Sequence, residues 1–314
     1  MTHFVLDAVT VISAGLAAGI LYPFFIDLLR RQGAGQVIQA ELPPEHQRKA
    51  GTPTGGGILF VGVGILAGLL ATLAGHRAAL PVVAGLLLGG AVGLADDLRK
   101  LRVGSLGIPA RAKFPLQLLL AVPVAWLAYQ PYQWPFAAAL PWWIYWPLAV
   151  LAIAATANAV NLTDGIDALA GTVAAIALLA VALLLPGAGS GEKAAALALA
   201  GGVLAFLYYN RPPARVFMGD AGSLGIGYAL AAMALQQGYV LALVPVGLVL
   251  VLETLSVIIQ VAYFKASGGR RIFKMTPIHY TFQLQGWSEP RIVAVFAAVG
   301  IAGAAAGFGL THLR

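Results

Sequence analysis

Two adjacent aspartates, Asp96 and Asp97, follow an uncharged and almost wholly apolar run over 79–95. Ionisable groups at the edge of a membrane-length apolar run are energetically costly, so a functional role explains them better than a role in packing. Carboxylate oxygens suit Mg²⁺, which is usually held by one or two carboxylates together with substrate phosphate. Alternatively, one aspartate binds a metal and the other acts as a base. The plain structural alternative is a charged helix end that pairs with Arg99 and Lys100.

A second polar cluster places an amide or acid at every third position, at Asn158, Asn161, Asp164 and Asp167. The cluster lies between two apolar runs, where four such groups in ten residues exceed what helix capping requires. One of the two aspartates could still cap the following helix, since Asp is a favoured N-cap residue. The spacing therefore indicates a polar site, and the residues around Gly165 predict a break between two helices.

A third cluster is the sequence Phe217-Met218-Gly219-Asp220. Asp220 is a candidate metal ligand, and Gly219 before it allows close backbone approach. The ring of Phe217 could stack on a nucleobase, because aromatic faces suit bases. The alternatives are an N-cap at Asp220 and a core position for Phe217.

Two loops supply cations and glycines. The stretch from Lys49 to Gly57 reads Lys-Ala-Gly-Thr-Pro-Thr-Gly-Gly-Gly and includes Thr54. Its backbone amides could receive phosphate, or the glycines could simply open a helix. The stretch is not a P-loop, because it lacks the Gly-Lys-Ser/Thr ending.

The other loop, 273–289, contains a single histidine, His279, and follows a basic segment. The basic segment has four positively charged side chains that could bind phosphates or an anionic lipid surface: Lys265, Arg270, Arg271 and Lys274. Glu253 lies in the middle of a preceding apolar run and needs a partner or a helix break.

The elements that must position these groups are membrane helices. Of the 314 residues, 60% are hydrophobic and 10% charged, whereas a soluble domain has about 25% charged residues. We therefore predict one all-α, polytopic membrane domain over 1–314, with no nucleic-acid partner. The absence of cysteine excludes disulfides and thiolate chemistry. Ten apolar runs are long enough to be considered as spans: 4–29, 55–75, 79–95, 113–128, 141–158, 169–185, 194–209, 224–237, 241–264 and 291–310.

The distribution of Lys and Arg predicts the orientation. Alternate loops hold 16 of the 19 basic residues, so these loops are expected in the cytoplasm and both termini outside. The other side keeps only Arg77, Lys193 and Arg314. The sixteen are Arg30, Arg31, Arg48, Lys49, Arg99, Lys100, Arg102, Arg111, Lys113, Arg211, Arg215, Lys265, Arg270, Arg271, Lys274 and Arg291. All five aspartates of the clusters then lie at the cytoplasmic face, and a belt of tryptophans marks the outer interface: Trp134, Trp142, Trp143 and Trp146.

In this order and spacing the motifs resemble the polyprenyl-phosphate N-acetylhexosamine-1-phosphate transferase superfamily, glycosyltransferase family 4. The similarity runs from about residue 30 to 295. The Phe-x-Met-x-Pro-x-His pattern from Phe273 and the Gly-Trp-Ser-Glu ending at Glu289 favour the branch that uses UDP-N-acetylmuramoyl-pentapeptide. The resemblance implies ten transmembrane helices, a cytoplasmic site, Mg²⁺, a bacterial inner-membrane location and a homodimer. It implies transfer of phospho-N-acetylmuramoyl-pentapeptide to undecaprenyl phosphate, giving lipid I and UMP.

Roles implied by the resemblance fall on residues of the motifs. Asp220 would bind Mg²⁺, Asp96 would deprotonate the lipid phosphate, and Asp97 would assist. Phosphate and nucleotide-sugar contacts would come from Lys49, Thr54 and Lys113, and His279 would lie at the sugar and phosphate end. The uridine and phosphate pocket and its neighbourhood would be formed by Asn158, Asn161, Asp164, Asp167, Phe217 and Gly219.

The chain departs from the family pattern at a few positions. Where the family usually has three consecutive histidines, this sequence reads His279-Tyr280-Thr281, and Ala168 stands where a glycine is frequent. A sister enzyme acting on UDP-GlcNAc is the main alternative. A transporter is a further alternative, although the acids gather at one face and not at the midplane; a catalytically inactive lipid-binding relative is the last.

Overall fold

A computed structural model describes residues 2–35, 49–103, 107–129, 141–185 and 189–312. In these ranges the chain is helical, and extended pairing is limited to two isolated bridges. Ten helices of fifteen residues or more lie in the described part: α1 (Thr2–Arg31), α2 (Gly57–Leu73), α3 (Leu80–Val103), α4 (Ala110–Leu127), α5 (Trp142–Thr163), α6 (Leu169–Leu183), α7 (Ser190–Asn210), α8 (Asp220–Gln236), α9 (Leu248–Ala266) and α10 (Glu289–His312).

Six of these helices are long and apolar enough to cross a membrane: α1, α3, α5, α7, α9 and α10. Helices α2 and α6 are apolar but shorter. The all-α, multi-pass membrane architecture predicted from composition is therefore confirmed. Trp134, Arg48 and Arg314, which entered the orientation argument, lie outside the described residues.

Several predicted spans differ from the observed helices. The third and the fifth, predicted to end at residues 95 and 158, continue as α3 and α5 to Val103 and Thr163. The eighth, predicted from residue 224, begins four residues earlier as α8, at Asp220. The ninth, predicted over 241–264, is divided at Gly247 into a short helix, Leu243–Val246, and α9. The break does not explain how the buried Glu253 is tolerated, because α9 is continuous at that residue. Its carboxylate has a partner side chain instead, which is described below.

Helix α8 lies at the centre of the bundle. Each of its residues from Asp220 to Leu235 is buried, and it packs against α2, α3, α4, α5 and α6. A helix that is apolar all round has no face for solvent or lipid, which matches its central place.

Close packing of α3 on α8 sets the position of the site. Gly85, Gly89 and Gly93 recur every fourth residue and so line one face of α3. A Cβ at Gly93 would collide with the carbonyl group of Asp220, and one at Gly89 would lie 2.7 Å from the carbonyl oxygen of Leu224. Small residues at this spacing let helix backbones approach closely. The stripe thus brings the end of α3 to the beginning of α8.

Candidate active site

Asp97 caps helix α8. Its Oδ1 accepts the backbone N–H of Asp220 and its Oδ2 that of Ala221, both at 3.0 Å. The first N–H groups of a helix have no partner within the helix, and a carboxylate there also complements the helix dipole. Gly219, at φ +77°, turns the chain into the helix, and a Cβ on it would lie 2.8 Å from Asp97 Oδ2. Asp97 therefore joins α3 to the Gly219-Asp220 turn.

Two lysines bridge the buried carboxylates. Lys100 Nζ lies 2.7 Å from Asp96 Oδ2 and 2.9 Å from Asp220 Oδ1. Lys113, on α4, pairs with Asp220 Oδ2 and lies 3.3 Å from Asp96 Oδ2. With Asp97 included, three carboxylates face two ammonium groups, so this carboxylate–lysine cluster keeps one net negative charge. Helices α3, α4 and α8 meet here, and the Lys100 side chain, 38% exposed, reaches solvent.

Pairing with Lys100 was the plain alternative for Asp96 and Asp97, and the pairing does occur. It does not remain within one helix end, however, because the same ammonium group reaches Asp220 on α8. Asp96 is also held by the backbone N–H of Ile108, 2.6 Å from its Oδ1. We assign the pairing of Lys100 with Asp96 to the site, because a simple surface pair would not connect α3, α4 and α8.

The amides of α5 complete this side. Asn161 Nδ2 donates to Asp220 Oδ1 at 3.1 Å and to Ser223 Oγ at 2.9 Å. Asn158 Nδ2 donates to Gln117 Oε1 at 2.6 Å. The two asparagines, one turn apart, therefore connect α5 to α8 and α4. The predicted break follows at once, because α5 ends at Thr163.

The turn after α5 holds Asp164 and Asp167. Neither caps α6, whose N-cap residue is Ala168, so that alternative is wrong for both aspartates. Burial, reinforced by the carboxylates of Asp220 and Asp97, raises the pKa of Asp164 to about 8. Asp167 Oδ2 instead accepts the backbone N–H of Ala214 at 2.9 Å.

Ala168 itself has φ +66°, in the left-handed region that L-residues other than glycine rarely occupy. Its N–H donates to Asn210 Oδ1 at 2.8 Å, and Asn210 Nδ2 donates to the carbonyl of Val216 at 2.9 Å. Asn210, buried at the end of α7, thereby ties this turn to the Phe217 segment. This backbone conformation is one that glycine would adopt without strain.

Lys49 lies in a second ion cluster. Its Nζ is 2.7 Å from Asp167 Oδ1 and 2.6 Å from Glu289 Oε1, and Gln283 Nε2 donates to the same Glu289 oxygen at 3.2 Å. Three regions far apart in sequence meet at this ammonium group. Lys49 is 16% exposed, so a substrate would reach it only by competing with these carboxylates.

The glycine-rich stretch pairs with the Phe217 segment. The N–H groups of Gly56 and Gly57 donate to the carbonyls of Phe217 and Met218, each at 2.8 Å, and the N–H of Thr54 donates to Ala34 at 2.8 Å. These amides are satisfied by backbone, so the idea that they receive phosphate is wrong for all three. The stretch instead holds the Phe217 segment in place through backbone hydrogen bonds.

Phe217 is only partly buried, whereas its neighbours Val216 and Met218 are fully buried. Alternate residues of an extended segment point to opposite sides, so the two neighbours enter the core and the ring of Phe217 does not. A core position for Phe217 is therefore wrong, and the ring remains available at the site surface.

His279 pairs with Glu253. The Nδ1 atom lies 3.0 Å from Glu253 Oε2, and both side chains have no exposed surface. The next two residues have contacts of their own: the hydroxyl of Tyr280 donates to the carbonyl of Gly165 at 3.3 Å, and Thr281 Oγ1 donates to the carbonyl of Met275 at 2.6 Å. Thr281 thus closes the 275–281 loop, and Tyr280 joins it to the Asp164 turn.

The structure brings all five motifs to one end of the bundle. Contacts join Thr54 to Phe217, Asp97 to Asp220, Asn161 to Asp220, and Lys49 to both Asp167 and Glu289. Three residues that complete the site were not predicted from the sequence, Gln117, Asn210 and Ser223, and Glu289 was named only as part of a family pattern. A buried polar residue at helical spacing from a motif was the available signal for Gln117, four residues after Lys113.

The side chains of the site can be compared with what a metal ion requires. Among the described residues, no three His, Cys, Asp or Glu side chains form a group that could hold a metal ion. Mg²⁺ does not require such a group, because it usually keeps several waters and takes one or two carboxylates with substrate phosphates. Asp220, with both oxygens directed into the cluster, offers a donor of the right chemistry, so the residues fit a Mg²⁺ that arrives with phosphate.

A multi-helix membrane protein whose helix ends and loops bring carboxylates, lysines and amides together at one end of the bundle has the parts of a membrane-embedded transferase acting on phosphorylated substrates. Comparison with known proteins agrees. The profile of the glycosyl transferase family 4 matches residues 79–238. A phospho-N-acetylmuramoyl-pentapeptide-transferase from Geobacillus thermodenitrificans is 43% identical over 300 residues, covering 90% of each chain.

Two further relatives carry the same name. One, from Desulforamulus reducens, is 42% identical over 318 residues, 92% of this chain and 95% of its own; the other, from Nostoc punctiforme, is 42% identical over 300 residues, 90% and 82%. The chain belongs to glycosyl transferase family 4, among the phospho-N-acetylmuramoyl-pentapeptide-transferases.

Proposed function

We propose that the protein transfers phospho-N-acetylmuramoyl-pentapeptide from UDP-N-acetylmuramoyl-pentapeptide to undecaprenyl phosphate, giving lipid I and UMP. This is the first membrane step of peptidoglycan synthesis. The observation that carries the proposal is that five sequence motifs meet at one end of the bundle, where Asp96, Asp97 and Asp220 form a buried cluster with two lysines. The names of the relatives supply the donor group.

The proposed topology has ten transmembrane helices, both termini outside and the site open to the cytosol, in the bacterial inner membrane. Ten helices in the described part overlap the ten apolar runs, and six of them are long and apolar enough to span a membrane. Homodimer formation is proposed from the family resemblance.

The charges of the cluster suit an exchange between two anionic substrates. Lys100 and Lys113 each contact two carboxylates, so incoming phosphate oxygens would compete for ammonium groups already in place. Mg²⁺, held by Asp220, would neutralise charge on the diphosphate and on departing UMP. The lysines alone cannot neutralise both substrates, because their charge is already balanced by the three aspartates.

In the proposed reaction an oxygen of the lipid phosphate attacks the β-phosphorus of the donor. The bond from that phosphorus to the bridging oxygen breaks, and UMP leaves with that oxygen. Asp96 would accept the proton of the lipid phosphate. Its Oδ2 contacts both lysines, so phosphate binding that draws the ammonium groups away would also free Oδ2 for a proton. Asp97, with both oxygens on α8 amides, would assist by fixing Asp220.

The other site residues would bind the donor. Phe217 would stack on uracil, and Asn158, Asn161, Asp164 and Asp167 would line the nucleotide and phosphate pocket with Thr54 and Gly219. Lys49 would hold a phosphate or sugar group, and His279 would lie at the sugar end.

A lipid substrate also needs an apolar surface. A cavity of about 450 Å³ lies between α5 and α9 and follows α5 as far as Ala159, next to Asn158. Its lining is almost wholly apolar, which suits part of a polyprenyl chain beside the phosphate site.

The test is UMP release by the purified protein in detergent with undecaprenyl phosphate and Mg²⁺. One tube contains UDP-N-acetylmuramoyl-pentapeptide and a parallel tube contains UDP-GlcNAc. We expect UMP only from the first, abolished by EDTA and reduced by Asp220→Ala. Asp27→Ala is the matched control, because Asp27 forms an exposed pair with Arg30 on α1.

Release only with UDP-GlcNAc would instead assign the chain to the sister activity. Folded protein that is silent with both donors would contradict the transferase proposal and favour an inactive lipid-binding relative. Full activity in EDTA would contradict the Mg²⁺ assignment alone.

A further inference from the structure

Glu253 is a carboxylate buried within the apolar helix α9. It has no exposed surface and lies at the sixth position of a helix over Leu248–Ala266. An isolated charge in such a place is strongly unfavourable unless it is paired. Its partner is His279, on a short helix, Ile278–Gln283, that packs against α9. The pair thus connects a membrane helix to a loop of the site.

The outer atoms of the pair are left without partners. Within the described residues, neither His279 Nε2 nor Glu253 Oε1 has a hydrogen bond, although both atoms are buried. Most buried polar side-chain atoms in native proteins are hydrogen-bonded, so such an atom requires an explanation. The Nε2 atom belongs to a residue of the candidate site, which makes a bound ligand the direct explanation.

The surroundings of Nε2 show where that ligand would lie. Nε2 faces Gly165, in the turn between Asp164 and Asp167; a Cβ on Gly165 would collide with Nε2 and would lie 2.8 Å from the Tyr280 hydroxyl. Only glycine fits at this position, because the imidazole packs directly against its backbone. Nε2 is thus directed at the segment that carries two of the proposed donor-binding aspartates.

A carboxylate that accepts the N–H of one imidazole nitrogen fixes the ring orientation and leaves the other nitrogen for a ligand or substrate. We propose that Glu253 is a positioning residue: it accepts Nδ1–H of His279 and directs Nε2 towards an oxygen atom of the nucleotide-sugar donor beside Gly165. The inference rests on the proposed function and names the residue through which His279 takes part in it.

The first test replaces the carboxylate by its isosteric amide. Glu253→Gln is compared with Glu192→Gln, a second buried carboxylate in an apolar helix, whose partner is Gln237 at 2.6 Å. UMP release is measured as kcat and KM for the donor, with the melting temperature in detergent. We expect Glu253→Gln to lower kcat/KM by about 10- to 100-fold, the loss typical when the carboxylate partner of a metal-bound histidine is removed. Glu192→Gln is expected to keep the wild-type value.

A double variant separates positioning from a general loss of structure. If Glu253 acts through His279, the double variant Glu253→Gln/His279→Asn is no slower than His279→Asn alone. Multiplied losses would overturn the inference, as would Glu253→Gln with unchanged kcat and KM. Should Glu253→Gln fail to fold, Gly165→Ala tests the same contact, because its Cβ would collide with Nε2 and displace the ring while both Glu253 and His279 are retained. Wild-type activity of a folded Gly165→Ala would equally overturn it.

Nitrogen NMR of ¹⁵N-histidine-labelled protein keeps the test independent of turnover. The chain has five histidines, and loss of signals in His279→Asn assigns those of His279. We expect Glu253→Gln, but not Glu192→Gln, to move the His279 ring signals, and donor binding to move the Nε2 signal. If the wild type turns over no donor, the proposed function fails, while unmoved His279 signals in Glu253→Gln would refute the pair itself.

Discussion

Asp220 and Glu192 are both buried acids at helix beginnings, at opposite ends of the bundle. Asp220 begins α8 and faces Lys100 and Lys113. Glu192 lies in the first turn of α7, has no exposed surface, and is held by the neutral amide of Gln237. Since α7 ends at Asn210, beside the site, its first turn lies about 30 Å away at 1.5 Å per residue.

The difference shows that burial of an acid does not by itself define a site. At the Glu192 end one carboxylate accepts from two neutral donors, the amide of Gln237 and the backbone N–H of Gly189, and no charged partner is shared. At the Asp220 end charges from several helices share partners, and Lys100 reaches solvent. A shared and solvent-connected cluster can exchange a partner for a substrate phosphate, whereas a closed pair cannot.

The largest expected effect comes from exchanging one lysine at each end. Lys100→Gln removes one of the two cations that Asp96 and Asp220 share, so UMP release should fall about 100- to 1000-fold, the scale for losing a preorganised charge-stabilising group. Lys193→Gln removes only the pair with Asp7, 3.3 Å apart at the other end, and should leave turnover unchanged. Equal rates of UMP release for the two variants would contradict the view that only the Asp220 end of the bundle takes part in the reaction.

The next effect concerns the packing that places α3 against α8. Gly93→Ala would force the helices apart at Asp220 and should destabilise the protein by about 1–3 kcal/mol, as overpacking does. Gly62→Ala on α2 meets nothing within 4 Å and should be neutral or slightly stabilising, since alanine favours helix. The melting temperatures of the two variants in detergent provide the measurement. An unchanged Gly93→Ala would contradict the close approach.

A third effect is a pH dependence at Asp164, whose pKa is raised to about 8. An acid with a raised native pKa binds its proton more tightly in the native state than when unfolded. It therefore makes stability fall as pH rises from about 4, its unfolded pKa, to about 8. Asp164→Asn should lack this slope. Melting temperatures in EDTA across pH 4–9, with Asp27→Asn as control, would detect it; parallel curves for wild type and Asp164→Asn would refute the raised pKa.

The smallest effect concerns Ala168, in a left-handed conformation that costs an L-residue about 1–2 kcal/mol. Ala168→Gly relieves this cost but adds unfolded-state entropy, so we expect a net stabilisation of about 1 kcal/mol or less. Ala305→Gly, on an exposed face of α10, should instead destabilise by about 1 kcal/mol. Shifts of the same sign for both would contradict the assignment of backbone strain.

Much of this organisation was predictable because charge is costly near lipid. Composition and apolar runs predicted an all-α membrane protein, and the acids and amides marked Asp96, Asp97, Asn161, Asp164 and Asp220 as site candidates. All of these meet at one end of the bundle, as predicted. Local patterns succeed here because burying a charged or amide side chain near lipid is costly, so such a residue stands out in an apolar sequence before its partners are known.

Assignments that depend on a partner failed or stayed open. The amides of Gly56 and Gly57, expected to be free for phosphate, pair with the Phe217 segment, and neither Asp164 nor Asp167 caps α6. Asp97, considered only as ligand, base or surface pair, caps another helix. A sequence records donors and acceptors but not which of them lie within hydrogen-bonding distance across the bundle.

By itself, then, the sequence determined the membrane class, the approximate positions of the helices and the residue types of the site, because hydropathy and motif spacing belong to the chain. Only the tertiary structure decided the pairings: Lys100 with Asp220, Lys49 with Asp167 and Glu289, and Glu253 with His279. Each joins residues more than twenty positions apart. Such contacts depend on how helices pack, and at Gly93 and Gly165 that packing depends on the absence of a single Cβ atom.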